Sequence, residues 1–405
     1  MYSKKVLSSG LTIVCEEVPY VRSISLGILI RAGSRYESKN QEGISHFIEH
    51  MLFQGTEKLT ALNIAEKFDL MGTHVDAFTG KEYTCFYVKM VDTYLPDVLE
   101  LLSEMLLNSK FKIEDIKKEK DVIFEEIKMY LDTPDEYTLD VFMKNLFDSH
   151  PLGHSILGSK ETTGNFDRKN IFEYLKIFFS PNNTIISLAG NLKSADIFNL
   201  VEKYFGKWEK KEFDFKITSP SFNFENKKEE KEFKQVHVCL GTKGISYNDD
   251  DKYSLILLNN ILGGSMSSHL FQEVREKRGL AYSVSSFYDC YLDTGIFIVY
   301  AATDKQKLNE LINIVLQEFK DIKSKGVLEK ELHKVKEQIK GNLVLGLENT
   351  LNRMIKLLRC EFYREKYLTI EEIIMEVEKI TNKDIVGFAN KLLPDDKLKL
   401  VTVGP

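Results

Sequence analysis

The chain has 405 residues, more than one hydrophobic core usually serves, because single cores rarely grow beyond about 250–300 residues. Hydrophobic residues make up 43%, charged residues 29%, and the net charge is −6, which is the mixture of an ordinary water-soluble globular protein. Basic blocks that would suit nucleic acid are missing, as are phosphate-cradling glycine patterns, and no apolar run approaches the roughly 20 residues needed to span a membrane.

The five cysteines (Cys15, Cys85, Cys239, Cys290 and Cys360) are odd in number, scattered and never paired as C-x-x-C. That pattern argues against a disulfide framework and a cysteine metal site, and for a reducing compartment. The first 14 residues carry two lysines and no continuous apolar segment of the secretory kind, so a cytoplasmic protein is expected.

In chain order, residues 11–15 and 24–32 read as strands. In the second, Ile24, Leu26, Ile28 and Ile30 alternate as one buried face should. A turn at Gly33-Ser34-Arg35 leads to Gly43-Ile44-Ser45-His46-Phe47-Ile48-Glu49-His50-Met51-Leu52-Phe53. Residues on a helix turn by roughly 100° each, which puts Ile44, Phe47, Ile48, Met51 and Leu52 on one side and His46, Glu49 and His50 on the other. The two histidines lie one turn apart, so both can reach one ion, and neutral imidazoles suit zinc. Glu49 stands beside them, placed to take a proton from water. The order H-x-x-E-H is the reverse of the commoner H-E-x-x-H zinc motif.

A second helix is expected over 61–71, ended by Gly72, then strands over 74–79 and 83–88 and a helix over 94–108. The next helix, about 113–132, places Ile116, Ile123, Ile127, Tyr130 and Leu131 on one side and Glu125 on the other. Glu119 and Glu126 fall together at the border of the apolar stripe, where carboxylates are costly unless a cation or hydrogen bonds compensate. An ion held by His46 and His50 would be that cation, which makes Glu126 the candidate third ligand and Glu119 a supporting carboxylate. The alternative is a pair of boundary glutamates bridged to lysines. Helices at about 135–147 and 168–179 flank a loop carrying His150 and His154, read as a structured turn, and a strand over 183–189 follows. Residues 213–232 are densely charged and read as a linker.

The second half repeats the first faintly. Leu255 to Gly264 stands 209 residues after His46 to Gly55, with Leu255, Leu258 and Asn259 where His46, Glu49 and His50 stand. The expected fold is therefore α+β: two tandem homologous domains, 1–212 and 233–405, each a mainly antiparallel sheet packed against helices, with only the first built for metal.

With Glu126 lying 76 residues after His50, and with the second signature Gly263-Gly264-Ser265-Met266-Ser267-Ser268-His269-Leu270-Phe271-Gln272-Glu273-Val274-Arg275-Glu276-Lys277-Arg278-Gly279-Leu280-Ala281-Tyr282-Ser283-Val284, the chain resembles the pitrilysin/insulinase family of zinc metallopeptidases over essentially its whole length. It is most similar to short bacterial members related to mitochondrial processing peptidase. The resemblance implies a zinc endopeptidase with one Zn2+ per chain, held by His46, His50 and Glu126. Glu49 would be the general base that deprotonates a zinc-activated water, and Glu119 would support the site. Arg275 and Tyr282 match the family's substrate-contacting pair. Asp76 and Ala77 match its peptide-binding edge strand, with Asp76 where the family usually has asparagine. Peptides or unfolded segments would enter a chamber between two identical subunits, without nucleic acid or membrane as partner. The competing expectation is a non-catalytic subunit or peptide-binding scaffold of a related heterodimer.

Overall fold

A computed structural model of the chain describes residues 1–212, 215, 217–364 and 367–405. Phe213, Asp214 and Lys216, at the start of the charged stretch, lie outside the described residues. The contacts group the chain into two compact units. One holds residues 1–128, 154–217 and 345–367, and the other 129–153, 218–344 and 368–405.

The first unit is built on six strands: β1 (Tyr2–Val6), β2 (Thr12–Glu17), β3 (Ser23–Ile30), β4 (His74–Thr79), β5 (Thr84–Val91) and β6 (Thr184–Gly190). Their order across the sheet is β1-β2-β6-β3-β5-β4, and only β2 and β6 run parallel. One side of the sheet packs Ile24, Leu26, Ile28 and Ile30 of β3 into a core with Ile44, Phe47 and Met51 of the Ile44–Met51 helix, Leu99 and Leu102 of the Leu95–Asn108 helix, and Ile116 and Ile123 of the Ile113–Leu131 helix.

Alternation along β3 suggests one buried face; the structure buries both. The second face is covered by the Thr350–Arg364 helix, which packs on β2, β3 and β6. Small residues make room for it. A β-carbon at Gly27 would overlap the sulfur of Met354, Ser25 Oγ lies 2.9 Å from Thr350 Oγ1, and Ser187 Oγ donates to the Met354 carbonyl at 3.1 Å. A side chain at Gly27 would displace the ends of Met354 and Leu358 that pack on the strand.

The second unit repeats the plan with β7 (Lys227–Glu230), β8 (Val236–Gly244), β9 (Ala281–Cys290), β10 (Gly295–Thr303) and β11 (Lys399–Gly404), ordered β7-β11-β8-β10-β9. Again one pair, β7 and β11, is parallel and the rest antiparallel, so β11, β8, β10 and β9 stand where β6, β3, β5 and β4 do. β7 lies within the charged stretch and forms the sheet edge. The Lys252–Leu262, Leu308–Lys325 and Asn382–Leu392 helices cover one face, and the Pro134–Leu146 helix covers the other, with Phe142 against Gly241 of β8. Gly241 thus repeats the role of Gly27 in the central strand of the other sheet. The α+β class and the tandem likeness read from the sequence are what the structure has. Among the described residues no helix is long and apolar enough to cross a membrane.

Candidate metal and catalytic site

The site begins with the Ile44–Met51 helix. Gly43 precedes it at φ 91°, a left-handed conformation that a side chain would strain. The buried Glu37 carboxylate accepts from the Gly43 and Ser45 backbone N–H groups at 2.7 and 2.9 Å, satisfying two donors at the positive end of the helix. Ile44, Phe47, Ile48 and Met51 are buried in the core, so the helix cannot rotate. Its other side therefore carries His46 and Glu49, both 8% exposed, and the half-buried His50 in a fixed direction. The helix ends at Met51, and Phe53 lies just beyond it with its ring 6.2 Å from that of Phe86.

The Ile113–Leu131 helix brings the carboxylates. Glu119 is 3% exposed; its Oε1 lies 2.8 Å from His50 Nδ1 and its Oε2 accepts from Gln54 Nε2 at 2.7 Å. With Nδ1 donating to Glu119, the lone pair of His50 is on Nε2. Glu126 Oε1 lies 3.7 Å from His46 Nε2, and Glu126 Oε2 lies 3.8 Å from His50 Nε2. These separations are too long for hydrogen bonds. One ligand atom from each of His46, His50 and Glu126 falls within 4.8 Å of the others, a grouping able to hold a metal ion. The lysine-bridge alternative does not describe Glu119, whose oxygens serve His50 and Gln54; it is Glu125 that pairs with Lys128.

The electrostatics point the same way. Burial, and then the charge of His50, hold His46 down to about 3, so it is a neutral imidazole with a free lone pair. Burial also lowers His50, but its hydrogen bond to Glu119 and the charges of Glu119, Glu126 and Glu49 outweigh that and raise it. Burial pushes Glu126 up, with His50 opposing and Glu119 adding to the rise. Glu49 is also raised by burial, while a hydrogen bond from Thr79 and the charge of His50 pull it down. Among the described residues Glu126 Oε2 and His46 Nδ1 are buried without hydrogen-bond partners. Three carboxylates and two imidazoles at a partly buried spot are costly for the protein alone, and two histidines with a carboxylate suit a divalent cation such as zinc.

β4 runs at the open edge of the first sheet and contacts the Ile44–Met51 helix. Asp76 is exposed; its Oδ1 accepts from the Ala77 N–H at 2.8 Å and its Oδ2 accepts from Tyr87 OH at 2.9 Å. Arg275 and Tyr282 belong to the second unit. The Arg275 guanidinium, on a short π-helical stretch Phe271–Glu276, lies 4.6 Å from the ring centre of Tyr282 at the start of β9, and Tyr282 is 80% exposed. The structure thus gathers His46, Glu49, His50, Glu119 and Glu126 in the first unit and pairs Arg275 with Tyr282 in the second. His150 sits beside a turn, its Nε2 2.9 Å from the Thr218 carbonyl oxygen. Gln54, Glu37 and Thr79 escape the sequence reading. Gln54 follows His50 by one turn and is the one of the three that helical spacing could have flagged.

Two family descriptions match the chain: "Insulinase (Peptidase family M16)" over residues 12–160 and "Peptidase M16 inactive domain" over residues 165–339. A protein of Bacillus subtilis named an uncharacterized zinc protease is 41% identical over 396 residues, covering 98% of this chain and 97% of that protein. A similarly named protein of Rickettsia bellii is 35% identical over 98% of this chain and 96% of its own length. The crystal structure of a protease from Helicobacter pylori matches with a TM-score of 0.93 at 22% identity, covering 100% of both chains. That of a peptidase M16 inactive domain from Pseudomonas fluorescens matches with a TM-score of 0.94 at 22% identity, covering 100% of this chain and 98% of its own, and at that identity both describe the fold. With each half matched and such identity sustained from end to end, the chain belongs to the insulinase family of peptidases, family M16.

Proposed function

We propose that the chain is a zinc-dependent endopeptidase that hydrolyses peptides or unfolded polypeptide segments. The observation that carries this reading is the convergence of His46, His50 and Glu126 on one point, with Glu119 fixing the tautomer of His50 and Glu49 beside them. His46 Nε2, His50 Nε2 and a Glu126 oxygen would hold the ion. When bound, zinc supplies a Lewis acid that acidifies water and polarises the scissile carbonyl.

The rest is the work of the chain's own groups. Glu49 takes the proton of the attacking water on a carboxylate oxygen and returns it to the leaving amine nitrogen. Its burial, which favours the protonated form, makes it a stronger base than an exposed glutamate and able to hold that proton between the two steps. The open edge of β4 offers backbone N–H and C=O groups to an extended peptide, which suits unstructured substrates. Asp76 and Ala77 lie on that edge. By resemblance, Arg275 and Tyr282 contact the substrate near the scissile bond, and two copies of the chain form a chamber in which each completes the other's site. Among the described residues Cys15, Cys85, Cys239 and Cys360 are buried free thiols, which supports the reading of a cytoplasmic protein.

The test is cleavage of a quenched unstructured peptide by wild type, by Glu49→Gln, and by an equal mixture of Glu49→Gln and Arg275→Ala. Activity in wild type, loss in Glu49→Gln and partial recovery in the mixture are expected. Activity without recovery in subunits shown to exchange would remove the shared site. Inactive wild type with stoichiometric zinc would turn the reading to a peptide-binding scaffold.

A further inference from the structure

Glu49 has two carboxylate oxygens, and a base works best when one of them is held and the other is free. Thr79 Oγ1 lies 2.5 Å from Glu49 Oε2. Among the described residues, Glu49 Oε1 has no hydrogen-bond partner. The direction of the bond follows from its surroundings. Thr84 Oγ1 donates its proton to the Ala32 carbonyl at 2.9 Å and lies 3.4 Å from Thr79 Oγ1. A carboxylate accepts only, so the Thr79 proton goes to Glu49. A hydroxyl that donates to a carboxylate makes a charge-assisted hydrogen bond.

Thr79 is itself held in place. It is the last residue of β4, paired with Thr84 of β5, and the turn is closed by Gly80 N–H donating to the Tyr83 carbonyl at 2.8 Å. The turn docks on the loop after β3 through the Arg35 N–H to the Lys81 carbonyl at 2.8 Å. Beneath it Arg35 and Glu82, each side chain 1% exposed, form an ion pair at 2.7 Å, and Glu82 Oε2 accepts from Tyr363 OH at 3.0 Å. A hydroxyl carried by such a pinned turn keeps its direction, as preorganised catalytic hydrogen bonds require.

We propose that Thr79 is the positioning residue of Glu49: its hydroxyl holds Oε2 and leaves Oε1 as the oxygen that takes and returns the proton. Oε2 remains an acceptor when Oε1 is protonated, so the hold persists through both proton transfers. β4 thereby does two things, offering its edge to the peptide and its last side chain to the base. This rests on the peptidase reading above.

The test compares wild type, Thr79→Val, which keeps the shape without the hydroxyl, and Thr79→Ser, which keeps the hydroxyl. Hydrolysis of the quenched peptide is measured with the zinc content of each protein, and crystal structures of all three give the position of the Glu49 carboxylate. In Thr79→Val, kcat is expected to fall roughly ten- to hundredfold, the worth of a hydrogen bond to a charged group. KM is expected to stay within about twofold, as for a group that acts on the chemical step. Zinc content is unchanged, and the carboxylate leaves its wild-type position. Thr79→Ser restores both kcat and the carboxylate position. Wild-type kcat in Thr79→Val, an unmoved carboxylate, or a Thr79→Ser protein as impaired as Thr79→Val would each overturn the proposal. An inactive wild type would instead overturn the peptidase reading, and the carboxylate positions would still decide what Thr79 holds.

Discussion

The two units use one sheet plan for two purposes, and their corresponding helices show the difference most clearly. In the first unit the Ile44–Met51 helix buries His46 and Glu49 and half-buries His50. In the second, the Lys252–Leu262 helix has Leu255 and Leu258, both 0% exposed, and Asn259 at those places. Asn259 turns to local structure, its carbonyl and side-chain oxygens accepting from Ser286 Oγ at 3.1 and 2.8 Å. The plan therefore folds with leucines in those positions. The first unit keeps ionisable groups there at a cost in stability, which points to chemistry as their reason.

The largest expected effect of breaking this contrast is on activity. Glu49→Gln keeps the shape and hydrogen-bonding reach of the side chain but cannot accept the proton, so kcat should fall by about 10²–10⁴, read with the quenched peptide at equal zinc content. A sharper version converts the first helix to the second: His46→Leu, Glu49→Leu and His50→Asn together. Without metal, this variant should unfold at higher denaturant than metal-free wild type, by about 1–4 kcal/mol, because apolar side chains replace buried ionisable ones. Added zinc should then stabilise wild type alone, by about 4 kcal/mol when free zinc is 1,000 times its Kd.

Smaller effects test the covers of the two sheets. At Gly241 a new β-carbon would come within 2.5 Å of the rigid Phe297 carbonyl oxygen, whereas at Gly27 it meets the flexible end of Met354. Gly241→Ala should therefore destabilise more than Gly27→Ala, both within the roughly 1–3 kcal/mol of overpacked cores, by chemical denaturation.

The weakest contrast, per unit of pH, is in two histidines whose shifts oppose. His46, held down to about 3 in the metal-free fold, stays neutral where the unfolded chain binds a proton. Its contribution is thus complete above about 6.5 and is lost as pH falls from there towards 3. His269 in the second unit is bonded at Nδ1 to Glu318 at 2.9 Å and at Nε2 to Glu331 at 2.8 Å; these bonds, against burial, raise it to about 9. Here the fold keeps a proton that the unfolded chain releases, so the contribution is complete below about 6.5 and is lost as pH rises through 9. Each slope is at most about 1.4 kcal/mol per pH unit. His46→Leu should remove the acid slope and His269→Gln the alkaline one, in unfolding curves of metal-free protein.

What the sequence made legible was local. The 3.6-residue period separates His46, Glu49 and His50 from Ile44, Phe47 and Met51, and it puts Glu119 and Glu126 on one edge of their helix. The pairs that complete the site are set by tertiary approach. Thr79 meets Glu49 from a strand thirty residues on, and no period links a strand's last residue to a helix's face. The Thr350–Arg364 cover of the first sheet was equally hidden, because Ser25 and Gly27 read as gaps in an apolar strand until a helix is seen to fill the space.

The most direct test of the metal centre is calorimetric titration of zinc into metal-free wild type and into Glu126→Gln. One tightly bound ion per wild-type chain is expected, with affinity reduced at least about tenfold in Glu126→Gln by loss of an anionic ligand. Equal zinc binding by the two proteins, or none by wild type, would contradict the assignment of His46, His50 and Glu126 as the site.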